Sequence, residues 1–171
     1  MISTQNVPAA EVPEELLRPF VAAAQLAFEQ MAGLSLAVRD SYRLPDFRTS
    51  GNVSAVIGLA GPGQGALVLS LGEDVAQAAA RRVLAEVDDN PDRELVDDCV
   101  GELANIIAGQ ARGMLADSPY EFAFGTPRLV SGVGHEIARD PGAPCLVLDF
   151  TSDVGDVQMQ VSCWPSALIS S

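Results

Sequence analysis

Two short apolar runs, Ser54–Ala60 and Gly65–Leu71, stand either side of the Gly61-to-Gly65 turn, which holds Gly61, Pro62, Gly63 and Gln64. No other feature limits the fold as much. A glycine-rich turn between two such runs predicts a β-hairpin. The glycines do not make a phosphate loop: a strand follows them rather than a helix N-terminus, and no Lys-Ser/Thr pair is present. Helices are predicted on both sides of the hairpin. Over Glu14–Met31, the residues Leu16, Leu17, Phe20, Val21, Ala24, Phe28 and Met31 recur at helical spacing, and Ala32-Gly33 ends the pattern. Glu73–Val87 is Ala-rich and reads as helical, with Val75, Ala78, Ala79, Val83 and Leu84 as its apolar positions. Arg93–Leu115 reads as one long helix.

The acidic run from Asp88 to Asp92 lies between those last two helices. A calcium loop in that register needs Gly at its sixth position and Glu at its twelfth, where this chain has Arg93 and Cys99. The run is better explained as a helix start, with Asn90 as N-cap, Pro91 at the first helical position, and Asp92 and Glu94 in the first turn. Ser41–Gly51 is mixed and turn-like, broken by Pro45. Beyond the long helix, short strands are expected at Tyr120–Phe124, Arg128–Val130, Cys145–Thr151 and Val157–Trp164. Gly125-Thr126-Pro127, Arg139–Pro144 and Ser152–Asp156 punctuate them. In the last strand Gln158, Gln160 and Ser162 alternate with Val157, Met159, Val161 and Cys163, the period of a half-buried strand. Each half of the chain offers a helix and then hairpin-like strands, which hints at an internal duplication.

At 171 residues, with 48% hydrophobic and 19% charged residues, the chain is expected to form one domain over 14–171 behind a short disordered lead-in, 1–13. No apolar run reaches the roughly 20 residues needed to span a bilayer, and the N-terminus lacks the basic and apolar regions of a secretory signal. A cytoplasmic location is therefore expected. The net charge of −13 disfavours nucleic acid and anionic membrane as partners. Cys99, Cys145 and Cys163 show no metal or redox spacing and read as buried thiols. His135 is the only histidine, too few for a His-ligated metal cluster and weak support for a Ser-His-Asp triad.

The long helix carries the chemistry. With Leu103 centred on the buried face and about 100° per residue, Val96, Cys99, Val100, Ile106, Ile107 and Gln110 lie within roughly 70° of it. Asp98, Glu102, Asn105 and Gly109 fall between roughly −100° and −160°, on one narrow stripe facing away from the core. Glu102 and Asn105, three apart, are neighbours there. A plain solvated face is one explanation. Yet Asn is a poor helix former, and a mid-helix Gly costs about 1 kcal/mol against Ala. With Gly101 close by, the stripe suits close approach by another surface. Alternatively, Gly101, Ala104, Ala108 and Gly109 let a neighbouring helix of the same chain pack tightly.

The pattern Asp98, Glu102, Asn105, Gly109, within the run from Gly101 to Gly109, resembles the signature of the CheC/CheX/FliY phosphatases, which act on the phosphorylated chemotaxis regulator CheY and its relatives. Pro19-Phe20 to Met31 resembles that family's first helix, and Thr126-Pro127 with Gly132 resembles its strand entry after the motif helix. The likeness spans roughly residues 14–165. It implies an α+β fold, long helices packed on an antiparallel sheet, and often a homodimer through the sheet. It implies that Asn105 positions the attacking water and Glu102 docks the regulator by engaging its lysine, with Asp98 and Gly109 in support. The chain would need no cofactor of its own, Mg2+ being expected on the phosphorylated CheY-like receiver. Members similar to CheC carry a second Glu-x-x-Asn on the first helix. Here that stretch reads Glu29, Gln30, Met31, Ala32, implying a single, CheX-like site. The competing reading is a CheX-like module that binds the regulator or dimerises without turnover. Any dimer is expected through an exposed strand edge among the C-terminal strands.

Overall fold

The computed structural model describes residues 7–8, 14–44, 53–60, 64–84, 90–131 and 145–162. Its elements are β1 (Val7–Pro8), α1 (Glu14–Ala32), β2 (Ala37–Leu44), β3 (Val53–Ala60), β4 (Gln64–Leu71), α2 (Glu73–Val83), α3 (Arg93–Met114), β5 (Ala123–Phe124), β6 (Arg128–Ser131), β7 (Cys145–Ser152) and β8 (Gly155–Ser162). All strands join one antiparallel sheet in the order β1-β2-β7-β8-β4-β3, with β5 and β6 both pairing to β3. This is the expected α+β arrangement.

Alternation along the strands decides which face the helices cover. Ala55, Leu69, Met159 and Leu148 form one cross-strand row, and all are buried in the same core as Phe20, Phe28, Leu103 and Ile107 of the helices. Ser54, Ser70, Gln158 and Asp149 form a row on the opposite face. There Ser54 and Ser70 share a 2.7 Å hydrogen bond, and Gln158 Nε2 donates to Asp149 Oδ1 at 2.9 Å. Period-two burial thus gives an apolar helix side and a hydrogen-bonded polar seam.

The hairpin is present, with β3 and β4 paired from Val53↔Leu71 to Ala60↔Gln64; its turn, 61–63, lies outside the described residues. The helices end for identifiable reasons. Gly33 adopts φ +62°, a conformation costly for other residues, and its N–H donates to Glu29 O at 3.1 Å. At the start of α3 the cap is Asp92, not Asn90: Asp92 Oδ1 accepts from the Leu95 N–H at 2.9 Å, leaving Pro91 ahead of the helix. The carboxylate three residues before Leu95 satisfies one of the first turn's orphan donors. α2 stops at Val83, short of the expected Val87.

Three expectations change further. Part of the stretch read as turn-like, Ser41 to Leu44, belongs to β2, which pairs with β7. Only Ala123–Phe124 of the expected Tyr120–Phe124 strand pairs. β7 and β8, the C-terminal strands, lie inside the sheet with neighbours on both sides, so neither offers an edge. Among the described residues, the edges belong to β2, paired on its outer side at Tyr42 and Arg43 with Val7–Pro8, and to β5 and β6. That pairing also places two residues of the expected lead-in against the sheet. His135, Cys163, Gly132, Gly134 and the acids Asp88 and Asp89 lie outside the described residues.

The hinted duplication has a topological counterpart. The units α1-β2-β3-β4 and α3-β6-β7-β8 interlock reciprocally. β2 pairs with β7 of the second unit, β6 with β3 of the first, and β4 with β8 at the join. α1 and α3 each open one unit, yet they pack differently: α3 lies against β3, β4 and β6, whereas α1 packs chiefly on α3 and α2.

Candidate functional site

One face of α3 is pinned by burial. Val96, Val100, Leu103, Ala104, Ile107, Ala108 and Ala111 are all fully buried, against α1, α2 and β3. With that face fixed, the helical repeat turns Asp98, Glu102 and Gly109 outward as exposed residues, with Asn105 half-buried between them. The stripe read from the sequence is therefore a surface edge. Arg93 holds the start of the helix to α2, its Nη1 2.6 Å from Glu73 Oε2 and its Nε 3.3 Å from Asp97 Oδ1. Arg93 and Glu73 are both more than 40% exposed, so this contact registers the helices and adds little stability.

Cys99, one turn before Glu102, is buried at 6% exposure. Burial, with a smaller contribution from the Glu102 carboxylate, pushes its thiol up to about 11. It stays neutral and unreactive at physiological pH.

A ledge of chain that the sequence reading did not connect to the stripe runs beside it. Phe122 packs on Phe20 with ring centroids 6.0 Å apart, and Phe124 tilts against Phe122 at 6.5 Å. The Gly125 N–H donates to Gly58 O at 3.1 Å. Thr126-Pro127 then leads directly into β6. A Cβ placed on Gly109 would sit 3.8 Å from Phe124 Cζ, an ordinary contact. A Cβ on Gly101 would sit 3.1 Å from Leu129 Cδ2 and 3.7 Å from Pro127 Cγ. Gly101 thus accommodates the β6 strand and its entry, while Ala104 and Ala108 lie in the core beneath the helices. Gly109 is not required by its surroundings within the chain. The one signal available beforehand was Gly101 itself, a costly residue in a helix interior.

The first helix has no matching pair. Glu29 is exposed, but Ala32 is 1% exposed at the end of α1, so an amide there would point into the core. The comparison of Glu29 and Ala32 with a surface motif is corrected by that burial. Of the two amides of α1, Gln25 is half-buried and donates to Leu36 O at 3.1 Å, and Gln30 is exposed. Among the described residues no group of three or more His, Cys, Asp or Glu is placed to hold a metal ion, and no helix is long and apolar enough to cross a membrane.

Residues 53–151 match the family described as chemotaxis phosphatase CheX. Among solved structures, the chemotaxis protein CheX from Desulfovibrio desulfuricans superposes with a TM-score of 0.79 at 28% identity, over 87% of this chain and 99% of that one. A CheC-like superfamily protein from Shewanella sp. PV-4 gives 0.79 at 29% identity, over 90% and 100%. A CheX in complex with CheY, BeF3 and Mg2+, from Borrelia burgdorferi, shares the fold with a TM-score of 0.69 at 22% identity, over 88% and 98%. No curated protein matches the chain significantly.

Proposed function

The chain belongs to the CheX family of chemotaxis phosphatases, and on that premise we propose that it hydrolyses the aspartyl phosphate of a CheY-like response regulator. One observation supports this most: Glu102 and Asn105 stand side by side on an outward edge of a helix whose other face is buried. The partner supplies the phosphoaspartate, its Mg2+ and a lysine. This chain adds position. Water attacks phosphorus in line with the acyl-phosphate bond, that P–O bond breaks, and inorganic phosphate leaves while the aspartate carboxylate is regenerated. The Asn105 amide both donates and accepts hydrogen bonds without titrating, which suits it to hold the water. Glu102 pairs with the partner's lysine and sets the register. Asp98 supports the edge by polar contact, and Gly109 leaves clearance for the incoming surface.

The Borrelia complex, a protein of the same fold holding CheY, supports the choice of partner class. The deciding experiment is phosphate release from a phosphorylated CheY-like receiver, with and without the purified chain. Acceleration that vanishes in Asn105→Ala supports turnover. Tight binding to the BeF3-activated receiver with no acceleration identifies the non-catalytic module instead. A homodimer through a sheet edge, if formed, uses β2 or the β5/β6 side, and light scattering at a single-chain mass removes it.

A further inference from the structure

Gly101 and Gly109 are both glycines of α3 near the stripe, yet their surroundings differ. Gly109 is exposed, and a methyl there meets only Phe124 Cζ at 3.8 Å. Gly101 is buried, and a methyl there meets Leu129 Cδ2 at 3.1 Å, with Pro127 Cγ and Cβ at 3.7 and 3.9 Å. The atoms it meets are side-chain atoms of half-buried Leu129 and Pro127, on a strand and strand entry fixed in register. β6 is registered to β3 from Val53↔Ser131 to Val56↔Arg128, with Leu129 opposite the core residue Ala55. Along the helix, Gly101 precedes Glu102 directly and lies one turn before Asn105. A methyl at Gly101 requires the Leu129 side chain to give by a few tenths of an ångström, and a larger branched side chain needs more room than that, which shifts Glu102 and Asn105 relative to the Phe124–Pro127 ledge.

We propose that Gly101 is a positioning residue: its missing side chain lets α3 seat against Leu129 and Pro127, and that seat sets where Glu102 and Asn105 stand. The inference rests on the reaction proposed above. In that reaction the chain contributes geometry alone, so a displacement of the water-holding amide by an ångström is enough to slow the step on the order of 100-fold. Binding, spread over a wider surface, is less sensitive to such a shift.

The test follows phosphate release from a CheY-like receiver phosphorylated with acetyl phosphate, measured against the full chain and its Asn105→Ala, Gly101→Ala and Gly101→Val variants. A Gly101→Val, Leu129→Ala double variant completes the set. Gly101→Val is expected to lower kcat about tenfold or more while KM stays within about twofold. Leu129→Ala, which removes the group that the new side chain meets first, is expected to restore most of that loss. A general packing defect would be worsened by the second truncation, so rescue separates the two. Gly101→Ala is expected to lower kcat by a few-fold with an unchanged or raised Tm, and it carries the test if Gly101→Val does not fold. Acceleration by the wild type and its loss in Asn105→Ala, with both Gly101 variants at wild-type kcat, overturns this inference and leaves the proposed function standing. No acceleration by the wild type overturns both.

Discussion

The two long helices open corresponding units of the chain but offer different surfaces. α3 turns Asp98, Glu102, Asn105 and Gly109 outward, whereas α1 turns out Arg18, Leu26, Glu29 and Gln30. The return paths differ as well. α1 reaches β2 through residues 33–36, while α3 reaches β6 through a longer stretch, 115–127, that includes the ledge beside the stripe. Of the two amides on α1, Gln25 is bound to the Leu36 carbonyl, and Gln30 is exposed but has Ala27, not Glu, three residues before it. A corresponding helix does not by itself make a site. The site needs outward residues of the right chemistry at the right spacing and a second surface alongside.

The largest test of that contrast is Asn105→Ala, expected to lower the stimulated rate of receiver dephosphorylation by about 100-fold, an effect typical of losing one group that acts in the transition state. Because Asn105 is half-buried at the surface, Tm should move by no more than a few degrees; a collapse in Tm would place the residue in the scaffold instead. Next, Glu102→Ala is expected to weaken affinity for a BeF3-activated receiver about tenfold, the size of one charge-assisted contact. Titration calorimetry checks this, and unchanged affinity would contradict lysine pairing.

A smaller effect compares the two halves through pH. Cys99 beside the stripe is raised to about 11, and Tyr42 of β2 is raised to about 12 by burial and then by the neighbouring Asp149 carboxylate. Both groups hold their protons more tightly folded than unfolded, so stability is full below their unfolded values and falls as pH rises through them. Urea midpoints should therefore fall between pH 9 and 12. Cys99→Ala should remove the earlier part of the fall and leave the later part. An unaltered profile in that variant would sink the assignment. The smallest expected change is none: Ala22→Glu with Gln25→Asn writes a Glu-x-x-Asn pair onto α1 and should add no phosphatase activity to an Asn105→Ala background. Recovered activity would show that the pair suffices without the ledge.

The hairpin, the three helices and the outward stripe were legible because each depends on local periodicity. Twenty-two residues of α3 repeat their apolar positions often enough to fix its buried face. β2 was hidden because Arg39, Asp40 and Arg43 interrupt its apolar residues, and a bulge between Val38 and Asp40 breaks the period of two. The cap of α3 was ambiguous for another reason. Asn90 and Asp92 are both good capping residues around one proline, and only the carboxylate's bond to the Leu95 N–H separates them. The ledge could not be read at all, because the contact of Gly101 with Pro127 and Leu129 crosses distant parts of the sequence.

The interior position of β7 and β8 has a consequence for how the protein is made. β2 finds its long partner in β7, more than a hundred residues later in the chain, and β4 waits for β8. During synthesis the hairpin and all three helices emerge with both of those strand edges still unpaired. The sheet closes only once β7 and β8 have arrived, so folding is governed by long-range contacts and should be slow. Until then β2 and β4 each expose an open strand edge, and the nascent chain is most prone to aggregate in that interval.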